Sequence, residues 1–256
     1  MTLADRPETP LTRREQQREA TYGEIVRVSR ALLDEGAELS LRAVASRMGM
    51  TAPALYRYVA GYQELVDLVA YEIDRAATDR FEAAIADVQA DDAAARLVLS
   101  VTEFRMWALA SPREFGLAFA NPVAEAGCAR RELLTLSSSG HLFTDLMREV
   151  WEQRRFDVPE LADLPASVQE AIREPLIPAK VDQVPEDSLG LVWRYMQGWT
   201  RLYGVVALEV FGHCDPRLSE SGDLFVDALL SFAPDMGLGD EVGRLETLMR
   251  ERIARG

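Results

Sequence analysis

Apolar residues recur at steps of three and four along almost the whole 256-residue chain, and this spacing constrains the fold more than any other feature. Residues three and four apart share one face of an α-helix, whereas a half-buried strand alternates polar and apolar side chains. We find no convincing alternation in any segment. The sequence therefore predicts an all-α protein, with an N-terminal three-helix unit followed by a larger C-terminal helical bundle, about nine or ten helices.

Short-range patterns predict the three N-terminal helices. The first apolar stripe ends just before Gly36, and glycine commonly terminates a helix because it adopts the left-handed conformation without strain. A second helix follows Ser40, a favourable N-cap, and stops at Gly49. A third helix follows Thr51, with Pro53 in its first turn, where an amide proton would have no intrahelical acceptor. The residues expected on the inner sides of the three helices are Tyr22, Ile25, Val26, Ser29, Leu32 and Leu33, then Leu41, Val44, Ala45 and Met48, then Leu55 and Val59.

Helical periodicity continues over the rest of the chain. A fourth helix begins after Gly61 and extends toward the acidic residues around Asp91. Five of the twelve prolines lie between Pro159 and Pro185, so a loop is expected there, with one short helix at Ala166–Arg173. The predicted domains are residues 1–66 and 67–256. The remaining predicted helices are Ala93–Ala110, Pro112–Ala120, Ala129–Arg154, Glu186–Phe211, Leu218–Phe232 and Glu241–Ala254.

Charge is distributed unevenly along the chain. The net charge is −14, but the first 60 residues carry nine basic and eight acidic groups, against 19 basic and 34 acidic groups in the remainder. Between Leu39 and Tyr62 the only charged residues are Arg42, Arg47 and Arg57. A polyanionic partner requires local positive charge, so this basic window keeps DNA among the candidate partners of an acidic protein.

The composition predicts a cytoplasmic protein without a membrane partner. Residues 1–10 lack the apolar core of a secretion signal, and no run approaches the roughly 18 apolar residues that a membrane helix needs. The two cysteines, Cys128 and Cys214, lie far apart in the sequence. We expect both to be reduced, small side chains, as suits a reducing compartment.

Residue types needed for catalysis are scarce. The two histidines, His141 and His213, have no neighbouring metal-ligand pattern. The cluster from His213 to Asp215 precedes Pro216 and is typical of a turn that ends a helix, and Ser137–His141 lacks the Gly-x-Ser-x-Gly pattern of a hydrolase nucleophile. No glycine-rich phosphate loop occurs in the sequence. We therefore expect no enzymatic activity, no catalytic residue, no metal site and no cofactor.

The window from Ser40 to Val59 has the form of a helix-turn-helix, whose second helix enters the major groove of DNA. Arg57 could donate two hydrogen bonds to guanine, tyrosine hydroxyls suit phosphate oxygens, and the amides at helix N-termini attract phosphate. The alternative interpretation is that the tyrosines are half-buried aromatics and that Ser40 and Thr51 are only caps. The predicted DNA-binding residues in this window are Ser40, Arg42, Thr51, Ala52, Pro53, Ala54, Tyr56, Arg57 and Tyr58.

The run from Leu41 to Val59 resembles the DNA-binding domain of the Tet repressor family, through its turn Gly49-Met50-Thr51 and its pair Leu55-Tyr56. The resemblance covers roughly Tyr22 to Leu68. Many members have a lysine at the start of the fourth helix to bind a phosphate, where this chain has Tyr62, so that contact would be weaker or would be made by the tyrosine hydroxyl. An N-terminal arm with Arg13, Arg14 and Arg18 could supply further positive charge, or could be a solvated terminus. The resemblance implies DNA contacts from Arg42, from Thr51 to Ala54, and from Tyr56, Arg57 and Tyr58.

The resemblance also implies a homodimer, in which the last two long helices pack against their symmetry mates as a four-helix bundle. The candidates are Glu186–Phe211 and Leu218–Phe232. Two recognition helices about 34 Å apart would meet successive major grooves, so the double-stranded DNA operator should be a near-palindrome. The segments Trp199–Gly204 and Glu209–His213 resemble a C-terminal subclass of the family, the Trp-His-Gly type. The predicted interface residues are Gly204, Ala207, Leu208, Phe211 and Leu224.

Family members keep an effector cavity inside the C-terminal bundle, and apolar pockets with few polar groups suit small organic ligands. Simple core packing is the alternative for each large apolar side chain. The predicted ligand-binding residues are Phe104, Trp107, Phe119, Phe143, Trp193 and Met196. The sequence thus predicts a ligand-responsive repressor, released from its palindromic operator by a small apolar or amphipathic organic effector. An all-α protein-binding adaptor without DNA binding and, less favoured, an enzyme are the alternatives.

Overall fold

The computed structural model describes residues 12–120, 137–175 and 178–256. Within these ranges all regular structure is helical, which confirms the all-α prediction. None of the helices in the described part combines the length and hydropathy of a bilayer-spanning segment. The described α-helices are α1 (Arg13–Asp34), α2 (Leu41–Arg47), α3 (Ala52–Leu55), α4 (Tyr62–Ile85), α5 (Ala93–Ala110), α6 (Pro112–Phe119), α7 (Ser138–Arg154), α8 (Ala166–Arg173), α9 (Gly190–Val210), α10 (Pro216–Ser221), α11 (Asp223–Leu230) and α12 (Val242–Ala254).

The chain divides into two compact units, Met1–Val69 and Ala70–Gly256. In the first unit, α1 begins earlier than its apolar stripe predicts, because Thr12 and Glu15 form a capping box. The Thr12 hydroxyl accepts from the Glu15 N–H at 3.3 Å, and the Glu15 carboxylate accepts from the Thr12 N–H at 2.8 Å. The expectation of an N-terminal arm is therefore wrong for three arginines that lie on this helix, Arg13, Arg14 and Arg18.

Ser40 and Gly49 shape the helix-turn-helix. The Ser40 hydroxyl caps α2 by accepting from the Ala43 N–H at 3.2 Å. Gly49 is left-handed, with a φ of 66°, and the following Met50 N–H returns to the Ala45 carbonyl at 2.8 Å. This bond satisfies a carbonyl at the end of α2, so α2 and α3 are separated by a tight turn.

Helix α3 is only one turn long. Thr51 occupies its N-cap, but the Thr51 hydroxyl makes no capping hydrogen bond to the described backbone. Beyond Leu55 the chain continues as a turn, in which the Tyr58 N–H donates to the Leu55 carbonyl at 2.8 Å. Leu55 and Val59 are buried, as predicted, so this segment is anchored at both ends.

Helix α5 packs against α7, α9 and α12 in the second unit and is buried along most of its length. Glu103 of α5 forms ion pairs with Arg80 of α4 and Arg252 of α12. Arg105, two residues later, forms an ion pair with Glu209 of α9. These ion pairs join α5 to α4, α9 and α12.

Two glycines set boundaries that the periodicity does not predict. A Cβ on Gly222, which has a φ of 70°, would lie 2.9 Å from the Ile253 side chain, so glycine is needed there. The predicted helix Leu218–Phe232 is wrong in this respect, since it divides at Gly222 into α10 and α11. A Cβ on Gly190 would lie 2.0 Å from the Pro159 carbonyl oxygen, and α9 begins at this glycine, four residues later than predicted.

Helices α5 and α8 have the predicted bounds, Ala93–Ala110 and Ala166–Arg173. Of the predicted helix Ala129–Arg154, the part from residue 138 onward forms α7. Residues 129–136 and Cys128 lie outside the described residues. Cys214 is a free, half-buried thiol.

Candidate functional site

The helix-turn-helix presents a short exposed surface, which we call the recognition surface and define as Arg42, Thr51, Pro53, Tyr56 and Arg57. All five residues are exposed, and the Tyr56 side chain is 51% exposed. The buried residues on either side of Tyr56 and Arg57 face the interior of the first unit, so these two side chains are directed to solvent. Ser40, Ala52, Ala54 and Tyr58, which were also predicted to bind DNA, are half-buried.

The three arginines of the basic window differ in their pairing. Arg47 donates to both carboxylate oxygens of Glu35, at 2.8 and 2.6 Å, so its charge is locally compensated. Arg42 and Arg57 form no ion pair with any of the described residues. The positive charge of the recognition surface therefore comes from Arg42 and Arg57.

Tyr58 contacts Tyr22 of α1 through both its ring and its carbonyl oxygen. The Tyr22 ring meets the Tyr58 ring edge-on, with centroids 5.7 Å apart and planes at 87°. The Tyr22 hydroxyl donates to the Tyr58 carbonyl oxygen at 3.1 Å. These contacts favour the packing interpretation for Tyr58, whereas Tyr56 has the exposure that a DNA contact requires.

Tyr62 is the first residue of α4 and its side chain is 54% exposed. Close by, the Glu64 carboxylate accepts a hydrogen bond from the Ala60 N–H. The start of α4 thus offers a phenol hydroxyl beside a carboxylate, an arrangement with less positive charge than a lysine would give.

A cluster of aromatic rings occupies the second unit, and we call it the aromatic cluster. Phe104 is fully buried at its centre and contacts six rings, with centroid distances between 5.3 and 6.1 Å. Four of the six predicted ligand-binding residues meet here. The members around Phe104 are Phe81, Trp107, Phe115, Phe119, Phe143 and Trp199.

Helix α9 contributes different residues to the aromatic cluster than predicted. Trp199 packs against Phe104, and Tyr203 stacks on Trp199 and Phe115. Trp193 is half-buried and has no ring contact with the aromatic residues of the described ranges. Trp193 lies about 160° around the axis of α9 from the buried Tyr195, whereas Met196, three residues before Trp199, lies on the same side of the helix as Trp199.

Asp74 is a buried polar residue that the sequence reasoning missed. Its carboxylate accepts from the Ser138 N–H at 2.7 Å, the Ser139 N–H at 3.4 Å and the Ser137 hydroxyl at 3.1 Å, and also from the Ser139 hydroxyl. Burial raises the pKa of the Asp74 carboxyl, and these hydrogen bonds only partly offset that effect. The segment beginning at Ser137 is thus a helix N-terminus capped by Asp74 of α4.

The outer side of α9 carries exposed apolar residues, and we call it the outer α9 face, defined by Gly204, Ala207, Leu208 and Phe211. Leu208 and Phe211 are each 44% exposed. A Cβ built on Gly204 would meet nothing within 4 Å, so the backbone there is open to a close approach. Leu224, the fifth predicted interface residue, lies half-buried on α11.

The turn after α9 contains His213, Cys214 and Asp215, three residue types that can bind metal ions. The His213 N–H donates to the Leu208 carbonyl at 2.8 Å, and the Asp215 carboxylate caps α10 by accepting from the Arg217 N–H at 2.9 Å. No group of histidine, cysteine and carboxylate side chains within the described ranges has a metal-binding arrangement. This segment ends one helix and begins the next, as predicted.

Comparisons with known proteins identify relatives of the chain. The HTH-type transcriptional regulators Rv1816 of Mycobacterium tuberculosis and Mb1846 of Mycobacterium bovis are each 34% identical over 113 residues, which is 43% of this chain and 48% of theirs. The chain thus spans about half the length of these curated relatives. The crystal structure of SCO4313, described as a candidate regulatory protein, matches with a TM-score of 0.54 and 23% identity over 96% of this chain and 100% of that chain, a likeness of fold.

A family model described as the tetracyclin repressor-like C-terminal domain matches residues 100–233. This range includes α5 from residue 100 onward, all of α9 and most of the aromatic cluster. Because the match covers more than half of the sequence, the chain belongs to the Tet repressor-like family.

Proposed function

We propose that this protein is a DNA-binding transcriptional regulator whose recognition surface enters the major groove. The observation that carries the proposal is the exposure of Tyr56 and the unpaired Arg57 between the buried anchors Leu55 and Val59. A guanidinium in this setting can donate two hydrogen bonds to the O6 and N7 atoms of guanine, while Tyr56 and Arg42 can contact phosphate.

A homodimer that contacts its partner through the outer α9 face is the second part of the proposal. Exposed Leu208 and Phe211 would lose water contact there, and Gly204 would let the two helices approach closely. A two-fold interface presents two recognition surfaces, so the operator would be a near-palindrome with half-sites about 34 Å apart.

Ligand-responsive repression is the third part. The aromatic cluster supplies the apolar lining that a small organic effector requires, with Phe104 at its centre. A ligand that binds one arrangement of the protein more tightly than another shifts the population toward it, by no more than this difference in affinity. We propose that the effector-bound arrangement is the one that leaves DNA, in a protein that acts in the cytoplasm without a cofactor.

The test compares binding to the protein's own upstream DNA with binding to random duplex DNA, over a range of salt concentrations. Arg57→Ala should lose discrimination by roughly 1–3 kcal/mol per bidentate contact, about 5- to 150-fold. The control is Arg217→Ala, since Arg217 is exposed in the second unit. A wild-type affinity that does not change with salt, together with unchanged discrimination in Arg57→Ala, would overturn the proposal.

A further inference from the structure

Arg18, Tyr22 and Tyr58 form a chain of two hydrogen bonds in the first unit. The Arg18 Nη2 donates to the Tyr22 hydroxyl at 3.0 Å, and this hydroxyl donates its own proton to the Tyr58 carbonyl at 3.1 Å. The Arg18 guanidinium also lies over the Tyr22 ring, 5.5 Å from its centroid. Two contacts to one ring therefore hold an exposed arginine side chain in place.

The pairing of Arg18 distinguishes it from Arg27 on the same helix. Arg27 donates to both carboxylate oxygens of Glu24, at 2.8 and 2.6 Å, which compensates its charge. The partners of Arg18 are a neutral phenol and its ring, and no carboxylate pairs with Arg18 within the described ranges. Arg18 thus keeps an uncompensated positive charge, and most of its five N–H donors remain available.

The position of this charge is set by the recognition segment itself. Tyr58 directly follows Tyr56 and Arg57, and the Arg18 guanidinium is two hydrogen bonds away from the Tyr58 carbonyl. The edge-on contact between the Tyr22 and Tyr58 rings, 5.7 Å between centroids, fixes α1 against the end of this segment. An uncompensated cation therefore flanks the recognition surface on the α1 side.

We propose that Arg18 contacts a DNA phosphate and that Tyr22 is a positioning residue for it, an inference that rests on the proposed function. A guanidinium matches the geometry of phosphate oxygens with two parallel hydrogen bonds. In a chain with a net charge of −14, each uncompensated cation near DNA contributes to binding through counterion release. Because Tyr22 already orders the long side chain, less conformational entropy is lost when DNA binds.

The experiment measures the affinity for random duplex DNA across roughly 50–200 mM salt and compares Arg18→Gln with Arg27→Gln. Both variants remove one charge from an exposed position of α1. Arg18→Gln should lower the slope of log affinity against log salt by about one for each bound protomer, while Arg27→Gln should leave the slope unchanged. Arg18→Lys should keep the slope but bind DNA less tightly, because lysine keeps the positive charge but lacks the two parallel N–H donors of a guanidinium.

Tyr22→Phe tests the positioning role, since it keeps the ring and removes the hydroxyl. The variant should weaken DNA binding in the wild-type background and have a smaller effect in the Arg18→Gln background. An equal loss in both backgrounds would mean that Tyr22 acts only by supporting Tyr58, and it would overturn the positioning role.

The outcomes separate this inference from the proposed function. If wild-type DNA binding is insensitive to salt and Arg57→Ala keeps full discrimination, the proposed function fails. If wild-type binding depends on salt and Arg57→Ala loses discrimination, but Arg18→Gln behaves as Arg27→Gln does, then only the inference about Arg18 is wrong. Thermal unfolding of each variant checks that the fold is retained.

Discussion

Arg105 of α5 and Glu209 of α9 form an ion pair that is almost completely removed from solvent, with side chains 2% and 0% exposed. Two hydrogen bonds join them, Nε to Oε2 at 2.7 Å and Nη2 to Oε1 at 3.0 Å. The Arg105 Nη2 also donates to the Ser219 carbonyl of α10 at 2.5 Å, and the guanidinium lies 5.3 Å from the Phe225 ring centroid. The pair therefore contacts four helices, α5, α9, α10 and α11, and each charge depends on the other for its compensation.

Glu209→Gln should destabilise the protein by about 3–5 kcal/mol, because it leaves the Arg105 guanidinium buried without a counter-charge. Replacement of both partners, as Arg105→Met with Glu209→Leu, should cost much less, since no buried charge remains. Urea unfolding measures the loss of stability of each variant through the shift of its denaturation midpoint. Glu72→Gln is the control, because its pair with Arg75 is partly exposed and should contribute at most about 1 kcal/mol. Equal stability of the Glu209 and Glu72 variants would contradict this account.

The raised pKa of Asp74 predicts a pH-dependent contribution to stability. As pH rises past the ordinary value of 3.8, the unfolded chain releases this proton first, while the folded protein retains it until its higher pKa is reached. The contribution of Asp74 to the free energy of unfolding therefore falls through this window and is constant above it. Asp74→Asn cannot titrate, so the stability of the wild type relative to this variant should decrease as pH increases. A difference that is independent of pH, or that increases, would contradict the prediction.

Gly204→Leu should convert the proposed dimer into a monomer without damage to the protomer. A Cβ at this position meets nothing within 4 Å, and glycine is an unfavourable residue inside a helix, so the protomer should tolerate the change. A partner helix packed on the outer α9 face would clash with the new side chain. Gly243→Leu is the matched control, since Gly243 is also helical and open. Light scattering after gel filtration measures the mass, and a Gly204→Leu dimer as tight as the wild type would show that the interface lies elsewhere.

Tyr62→Lys should strengthen DNA binding and make it more sensitive to salt. Tyr62 begins α4 with an exposed side chain, so an ammonium there could reach a phosphate at little structural cost. The expected change in the slope of log affinity against log salt is about one for each protomer. Gln63→Lys adds the same charge at the next, also exposed position and serves as the control. Equal effects of the two variants would mean that only net charge matters.

Local signals were sufficient to predict several helix bounds. Asp92 caps α5 through the Ala95 N–H, and Pro112 begins α6, so both boundaries are visible in the sequence. The sequence also indicates the start of α1, because Thr12 and Glu15 have the spacing of a capping box. The division at Gly222 was not predicted from periodicity; it follows from the left-handed conformation of Gly222, with a φ of 70°, which ends α10.

Only some features of the candidate site could be predicted, because the others depend on contacts between residues that are distant in the sequence. The exposure of Tyr56 and Arg57 follows from the helical spacing around Leu55 and Val59. The pairing of Arg47 with Glu35 follows from folding that brings α1 and α2 together, and no short-range pattern indicates it. On α9, large apolar residues occur on several sides of the helix, so the sequence did not show that Trp199, and not Trp193, faces α5.

The ion pairs of Glu103 and Arg105 on α5 have a mechanical consequence for the aromatic cluster. Phe104 lies between Glu103 and Arg105, and in a helix these three consecutive side chains project about 100° apart. Rotation of α5 about its axis would pull Glu103 from Arg80 and Arg105 from Glu209, and would leave buried charges without partners. These ion pairs therefore oppose rotation of α5 about its own axis. If the proposed effector binds beside Phe104, the space that it needs would come from side-chain rotations of individual rings and not from rotation of α5.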